Sequence, residues 1–242
     1  MALISAHRGG AGRDLDNTVA GIETAIALGC DFVEFDVRVT ADARAVLAHD
    51  EHVVVDGVAR SIAALPYAAV ARAGVDTLDD ALEAVRGRIG AHVDLKASDR
   101  DLAIVLRVID RCGTDDLVVT TSDDADVRAI ARWAEDAAPG LRVALSTAIR
   151  TGPGGRARRA GRTLLAWFPR TRVRRSGATA VAAHHRWARW WLRDWAHRRG
   201  LPLLVWTVDD DRRLAHWLAD PLTWVVTTNR PARAMQLRLS SP

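Results

Sequence analysis

Four short stretches of this 242-residue chain set ionisable side chains into apolar surroundings. FVEFDVRV carries Glu34 and Asp36 two residues apart, and HVDLKA carries Asp94 and Lys96 two residues apart. His7-Arg8 ends the run LISAH, and His49-Asp50 ends AVLAHD. Side chains two apart on a strand share one face, so each of the first two pairs projects together. Carboxylates held side by side repel one another and lose hydration. A divalent cation resolves that conflict, and Glu34, Asp36 and Asp94, with no thiolate among them, suit a hard ion, Mg²⁺ or Ca²⁺. The alternative is that Glu34 and Asp36 face outward while Phe35, Val37 and Val39 face inward. Two histidines at separate strand ends, His7 and His49, could serve as a general acid and a general base near neutral pH.

Lys96 is the only lysine beside 33 arginines. A composition that writes arginine almost wherever it needs positive charge makes the exception informative. A compact ammonium on a flexible stem is not replaced by a planar guanidinium.

The elements that must hold these residues alternate along the whole chain. LISAH (3–7) reads as a strand. An amphipathic helix follows over 17–29, capped near Asp16 or Asn17 and ended by Gly29. DFVEFDVRVT (31–40) is a strand, and ADARAVLAHD (41–50) is a turn and a second strand, hence a hairpin. After a loop rich in alanine and valine comes a helix over 77–87, with Thr77 as cap and Asp80 in the capping-box position. Strand and helix patterns then repeat through 89–95 and 99–113, 116–122 and 124–140, 141–147 and the arginine-rich segment, 178–184 and 186–200, 201–208 and 210–220, and 223–229 with a terminal helix. Setting the hairpin strand aside gives eight strands, each followed by a helix or a helix-sized segment. That count predicts an α/β fold, a (β/α)8 TIM barrel with a short hairpin insertion after strand 2. No internal repeat or linker divides it, so residues 1–242 read as one domain. Active residues of such a barrel sit at the C-terminal ends of its strands, where His7, Arg8, His49, Asp94 and Lys96 fall.

Hydrophobic residues make up 49% and charged residues 26% of the chain, ordinary for a globular protein. Cys30 and Cys112 form no CxxC pair, which argues against a disulfide framework or thiolate metal site and suits a reducing cytosol. The opening MALISAHRGG lacks the basic and apolar regions of a signal peptide, so the mature protein is expected to start at or near Met1. No apolar run approaches the ~20 residues of a membrane span. Residues 150–175 hold nine arginines and no acid, and removing them takes the net charge from +4 to −5. The basicity is local, and no nucleic-acid partner is expected.

AHRGGAGRDLDNT, VEFDVRVTADARAVLAHD, HVDLK, VWTV and TTNRP together resemble the glycerophosphodiester phosphodiesterases, barrels of the phosphatidylinositol-phospholipase-C-like type. The resemblance runs from His7 to Pro231. It implies that His7 and His49 are the acid–base pair, that Glu34, Asp36 and Asp94 ligate a divalent cation, and that Arg8 and Lys96 hold the phosphate. It implies that Trp206 lines the glycerol side of the substrate. The implied reaction is metal-dependent hydrolysis of a small glycerophosphodiester to sn-glycerol 3-phosphate and an alcohol, by water directly or through a cyclic phosphate formed by a neighbouring hydroxyl.

The chain departs from that pattern at several points. The usual Glu-Asn-Thr is Asp16-Asn17-Thr18, the usual third glutamate ligand is Asp94, and the usual Thr-Asp is Thr228-Asn229. The Asn expected after WTV is Asp209, and the insertion after His49-Asp50 is short and lacks the usual Arg-Thr-Thr run. Asp94-x-Lys96 also resembles the sphingomyelinase D-like branch, which cleaves choline phospholipids or lysolipids. An inactive membrane-surface or phosphate-binding module is the non-enzymatic alternative. Trp187, Trp191 and Trp195, spaced i, i+4 and i+8 with Trp190 alongside, are expected as the inner stripe of an outer barrel helix. Residues 150–175 suit an anionic membrane surface, which would make a cytoplasmic protein peripheral.

Overall fold

The structure is a computed structural model that describes residues 1–10, 12–96, 101–113, 116–147 and 168–240, with Trp191 described by its backbone. Within these residues the strands are β1 (Leu3–Ala6), β2 (Phe32–Val39), β3 (Ala45–Leu47), β4 (His52–Val55), β5 (Val58–Ser61), β6 (Gly90–Leu95), β7 (Leu117–Thr121), β8 (Arg142–Ser146), β9 (Ala180–His184), β10 (Leu203–Trp206) and β11 (Val225–Thr228). The helices are α1 (Val19–Ala27), α2 (Tyr67–Ala71), α3 (Leu78–Val85), α4 (Leu102–Cys112), α5 (Asp124–Ala137), α6 (Pro169–Ser176), α7 (His185–Trp191), α8 (Arg193–His197), α9 (Asp211–Ala219) and α10 (Pro231–Leu239).

Eight strands pair in parallel in the order β1-β11-β10-β9-β8-β7-β6-β2, and β1 pairs β2 to close the ring. β3 adds antiparallel to the end of β2, opposing Leu47 to Val37. This is the expected (β/α)8 barrel with its hairpin after the second barrel strand. The barrel interior is small and largely apolar at its base, built from Phe32, Val118, Ala144, Ala180, Ala182, Leu204 and Val225. The larger core lies between the outer strand faces and the helices, where Val33, Phe35 and Val37 are buried.

That division settles which way Glu34 and Asp36 point. Burying Val33, Phe35 and Val37 against the helices is worth about 1.5–3 kcal/mol for each large side chain. The opposite face would crowd them into a barrel lined with alanines and drive two carboxylates into an apolar layer. The strand therefore turns Glu34 and Asp36 inward, with Phe32 beneath them.

Some local expectations change. Helix α1 begins at Val19, and its cap is Thr18, whose Oγ1 accepts a hydrogen bond from Gly21 N at 3.0 Å. Asn17 adopts φ 58° and sends its amide to the barrel instead. Thr77 caps α3 as expected, accepting from Asp80 N at 3.1 Å. The stretch read as an alanine- and valine-rich loop contains the β4–β5 hairpin and α2. Its turn is Asp56-Gly57, both at positive φ (53° and 75°), a tight two-residue connection.

The helix expected over 186–200 divides at Leu192 into α7 and α8. The break removes the i, i+4, i+8 tryptophan stripe, because the inner face of α7 belongs to His185 and Ala188, followed by Leu192. Trp195 is buried at 9% exposure, whereas Trp187 is 65% exposed. Residues 150–167, most of the arginine-rich segment, lie outside the described residues. Its end forms α6, where Arg172 forks onto Asp124 at 2.7 Å.

Candidate active site

Strand register brings the scattered motifs together. Across β2 and β6, Glu34 stands opposite His92 and Asp36 opposite Asp94. Across β6 and β7, Asp94 stands opposite Thr120. One inward layer at the strand ends thus holds Asp36, Asp94 and Thr120, with Glu34 and His92 one step deeper. Glu34, His92, Asp94 and Thr120 border a cleft of about 240 Å³ also lined by His7, Arg8, His49, Lys96, Ser146 and Trp206. Of the residues expected to act as acid–base pair, metal ligands or substrate contacts, all line this cleft except Asp36, which lies behind Lys96 and Arg8.

His7 and Arg8 leave β1 in a single tight turn, with Arg8 at φ 54° and Gly9 at φ 92°. A Cβ at position 9 would lie 2.7 Å from the backbone carbon of Gly21 on α1, so the turn is wedged against that helix. Arg8 N donates to Glu34 Oε2 at 2.8 Å, and its Nε lies 3.1 Å from Asp36 Oδ2 as an ion pair. His7 Nδ1 donates to Asn229 Oδ1 at 2.6 Å. The amide is oriented by Asp209, which accepts from Asn229 Nδ2 at 2.8 Å and from Asn229 N at 2.9 Å. His7 Nε2 is left toward the cleft, 3.8 Å from Glu34 Oε2. Burial lowers the His7 pKa, only partly offset by the Asn229 hydrogen bond.

His49 follows β3 and is more open. Its Nδ1 pairs with Asp50 Oδ1 at 2.8 Å, and its carbonyl is gripped by Arg38 Nε and Nη2 at 3.0 and 2.8 Å. The two histidines therefore reach the cleft from different strand ends, each with one ring nitrogen already engaged.

Glu34, Asp36 and Asp94 each offer a carboxylate oxygen, and these oxygens all lie within 4.8 Å of one another. Burial raises the Glu34 pKa well above the ordinary range, reinforced by the charges of Asp36 and Asp94. Burial pushes Asp36 the same way, but Lys96, the Asn17 amide and Arg8 together hold it below the usual value. Asn17 is bonded in both directions: its Nδ2 donates to Asp36 Oδ2 at 3.0 Å and its Oδ1 accepts from Asp36 N at 2.8 Å. Lys96 Nζ donates to Asp94 Oδ2 and lies 3.1 Å from Asp36 Oδ1. Burial would lower its pKa, but those two carboxylates raise it, so it stays protonated. The donor set is all oxygen and excess negative, which fits a hard divalent cation held by Glu34, Asp36 and Asp94.

Further participants are Thr120 and His92, which carry little sequence signal, and the Asp209–Asn229 pair, whose pairing the sequence does not show. Thr120 Oγ1 donates to Asp94 Oδ1 at 2.8 Å and accepts from His92 Nε2 at 3.1 Å. His92 is fully enclosed and its pKa is pushed down to about 3, by burial first and by His7 second, so its ring is neutral. The Asp209–Asn229 pair fixes the His7 tautomer, although the two residues are 20 apart in the chain. A polar residue following the strand in both VWTVDD and VVTTN is the signal that could have linked them.

The chain matches the family model described as the glycerophosphoryl diester phosphodiesterase family over residues 7–233. It is 46% identical to a human lysophospholipase D over 46 residues, which is 19% of this chain and 15% of that protein. It is 43% identical to a glycerophosphodiester phosphodiesterase of Caldanaerobacter subterraneus over 51 residues, 21% of each. The match thus spans about a fifth or less of these relatives' length. Among solved structures, it resembles an Oleispira antarctica phosphodiesterase in complex with the product sn-glycerol-3-phosphate, with a TM-score of 0.74 at 18% identity over 99% of this chain and 98% of that one. It also resembles the glycerophosphodiester phosphodiesterase of Thermotoga maritima, with a TM-score of 0.75 at 19% identity over 98% and 99%.

Proposed function

The chain belongs to the glycerophosphoryl diester phosphodiesterase family, and from that premise we propose that it hydrolyses glycerophosphodiesters to sn-glycerol 3-phosphate and an alcohol. The observation that carries this reading is the convergence of His7, His49, Arg8, Lys96 and the three carboxylates on one cleft. In this reading Arg8 and Lys96 hold the phosphoryl oxygens, and Trp206 gives the glycerol an apolar wall. His7 Nε2 accepts the proton of the nucleophile, water or a neighbouring substrate hydroxyl, as the new P–O bond forms; where the hydroxyl attacks, water then opens the cyclic phosphate to sn-glycerol 3-phosphate. The bond to the alcohol breaks, and His49 gives its proton to the departing oxygen. A divalent cation on Glu34, Asp36 and Asp94, Mg²⁺ or Ca²⁺, would supply charge stabilisation to the phosphoryl oxygens.

The preference for lysine at position 96 follows from its contacts. A single nitrogen serves both Asp94 and Asp36. A guanidinium spreads its donors over a planar fork and does not present one nitrogen to both carboxylates in the same way. Lys96→Arg is expected to lower kcat/KM by roughly 10- to 100-fold with an unchanged melting temperature. Near-native kinetics in that variant would show that only the charge matters.

The test of the reaction is release of glycerol 3-phosphate from glycerophosphocholine, glycerophosphoethanolamine and glycerophosphoinositol, with chelator and after adding back Mg²⁺ or Ca²⁺. Metal-dependent release is the expected result, and folded protein that turns over none of them refutes the reading. Lysophosphatidylcholine belongs in the panel because of the segment shared with the human lysophospholipase D. Activity confined to that lipid reassigns the substrate class.

The same proposal includes work in the cytoplasm at a membrane surface. The charge of residues 150–175 supports it, nine arginines without an acid. Among the described residues no helix is long and apolar enough to cross a membrane.

A further inference from the structure

Helix α7 is built inside out. Its buried positions are His185 and Ala188, with Leu192 just beyond, at 7%, 0% and 2% exposure. Its outer face carries Arg186, Trp187, Arg189 and Trp190, with the tryptophans 65% and 72% exposed. A helix that needed only to cover the barrel would bury its large rings and expose its alanine, because an indole is among the largest apolar payloads a side chain offers. Residues three apart lie on one stripe, so Trp187 and Trp190 form an aromatic ridge beside a cationic one of Arg186 and Arg189. The Arg189 guanidinium sits 5.5 Å from the Trp190 ring centre, which brings charge and ring to one level.

The place of this ridge is as informative as its composition. α7 starts where β9 ends, on the rim of the candidate active site. Trp206 lines the cleft, its ring meets His184 edge-on at 5.5 Å, and His184 lies 4.5 Å from His185, the first residue of α7. The preceding helix of the ring, α6, brings Phe168 to the same end of the barrel at 55% exposure and carries no acid.

We propose that the outer face of α7, a helix that begins at the mouth of the barrel, docks on an anionic lipid bilayer. Tryptophan settles at the boundary of headgroups and acyl chains, and arginine reaches lipid phosphates from the same depth. α7 carries no acid to oppose an anionic surface. A second copy of the chain is a poorer occupant, since a self-paired face would set these arginines against each other. The face is a convex helix rather than a groove, which disfavours a single-stranded nucleic acid. The inference extends the membrane part of the proposed function to residues outside 150–175, and it holds whether or not the protein is a diesterase.

The experiment is co-sedimentation of the full chain with phosphatidylcholine vesicles, with and without phosphatidylglycerol. Wild type should prefer the anionic vesicles, Trp187→Ala with Trp190→Ala should weaken binding on the order of tenfold or more, and Arg186→Glu with Arg189→Glu should remove the anionic preference. Both variants should melt like wild type, since the four side chains are exposed. Binding needs no turnover, so inactive protein that still sediments with vesicles leaves docking standing while the diesterase reading falls. The proposal is overturned if wild type ignores both vesicles or if the tryptophan variant binds as well as wild type. It is equally overturned if an oligonucleotide displaces the vesicles, or if the tryptophan substitutions abolish self-association and leave vesicle binding intact.

Discussion

His7→Ala and His49→Ala should each lower kcat by about two to four orders of magnitude, the usual weight of a positioned acid or base, without changing the melting temperature. The two losses should differ in kind. His7 is the more constrained ring, because Asn229 takes its Nδ1 proton at 2.6 Å and Asp209 holds the amide in the only orientation that allows this. Its free Nε2 faces the cleft, and burial keeps the ring unprotonated near neutral pH, as a proton acceptor must be. His49 stands across the cleft, tied through Nδ1 to Asp50, with the other nitrogen available to the leaving oxygen. Kinetics on two diesters with the same glycerophosphoryl half separate the roles. With an alkyl alcohol as leaving group both variants should be crippled. With an acidic phenol, which departs without a proton, His49→Ala should recover much of its loss and His7→Ala should not. Equal losses on both substrates would remove the assignment of His49 as the acid, and a loss under tenfold in either variant would remove that residue from the mechanism.

The barrel was legible because its pattern is written in residues that act locally. Apolar runs such as VVTT and LLVW, separated by helical periodicity, are enough to count eight units. The inward direction of Glu34 and Asp36 was an open choice until Phe35 and its neighbours were seen to fill the helix side. Contacts set by register were hidden. Thr120 is an ordinary residue in LVVTT, and nothing marks it until β7 aligns it with Asp94. Asp209 and Asn229 read as two separate departures from the family pattern. In space they are one hydrogen-bonded pair, acid and amide exchanged between two positions, with the amide now facing His7. Asn17 looked like a helix cap because Asn commonly is one; the tight turn at Arg8 and the neighbouring Thr18 cap free it to hold Asp36 instead. The tryptophan stripe failed for a similar reason, since periodicity assumes one continuous helix and Leu192 ends it early.

Removing divalent cations should abolish turnover, and restoring them should stabilise the fold as well as the activity. Glu34, Asp36 and Asp94 place three carboxylates within 4.8 Å in a site where Glu34 is only 2% exposed. Lys96 and Arg8 balance Asp36 and Asp94, yet Glu34 is met by the Arg8 amide and by a histidine that burial keeps neutral. Burial and the neighbouring carboxylates raise the Glu34 pKa, and a hard ion on these oxygens would relieve both the desolvation and the repulsion. A ligand that binds the folded chain alone adds RT ln(1 + [L]/Kd), about 2.7 kcal/mol at a hundred times Kd. Thermal melts with Mg²⁺ and with Ca²⁺ should rise accordingly. Glu34→Gln keeps the size of the side chain and removes its charge, so it should erase most of that rise and lower kcat by roughly a hundredfold or more. The variant should also melt no lower than wild type in chelator, because burial and the neighbouring carboxylates already disfavour the charged form of Glu34 and glutamine asks for no charge there. That last comparison separates a cation site from a purely structural cluster: if Glu34→Gln destabilises the chelated protein and leaves the metal-induced rise untouched, the three carboxylates hold the barrel together and the cation binds elsewhere.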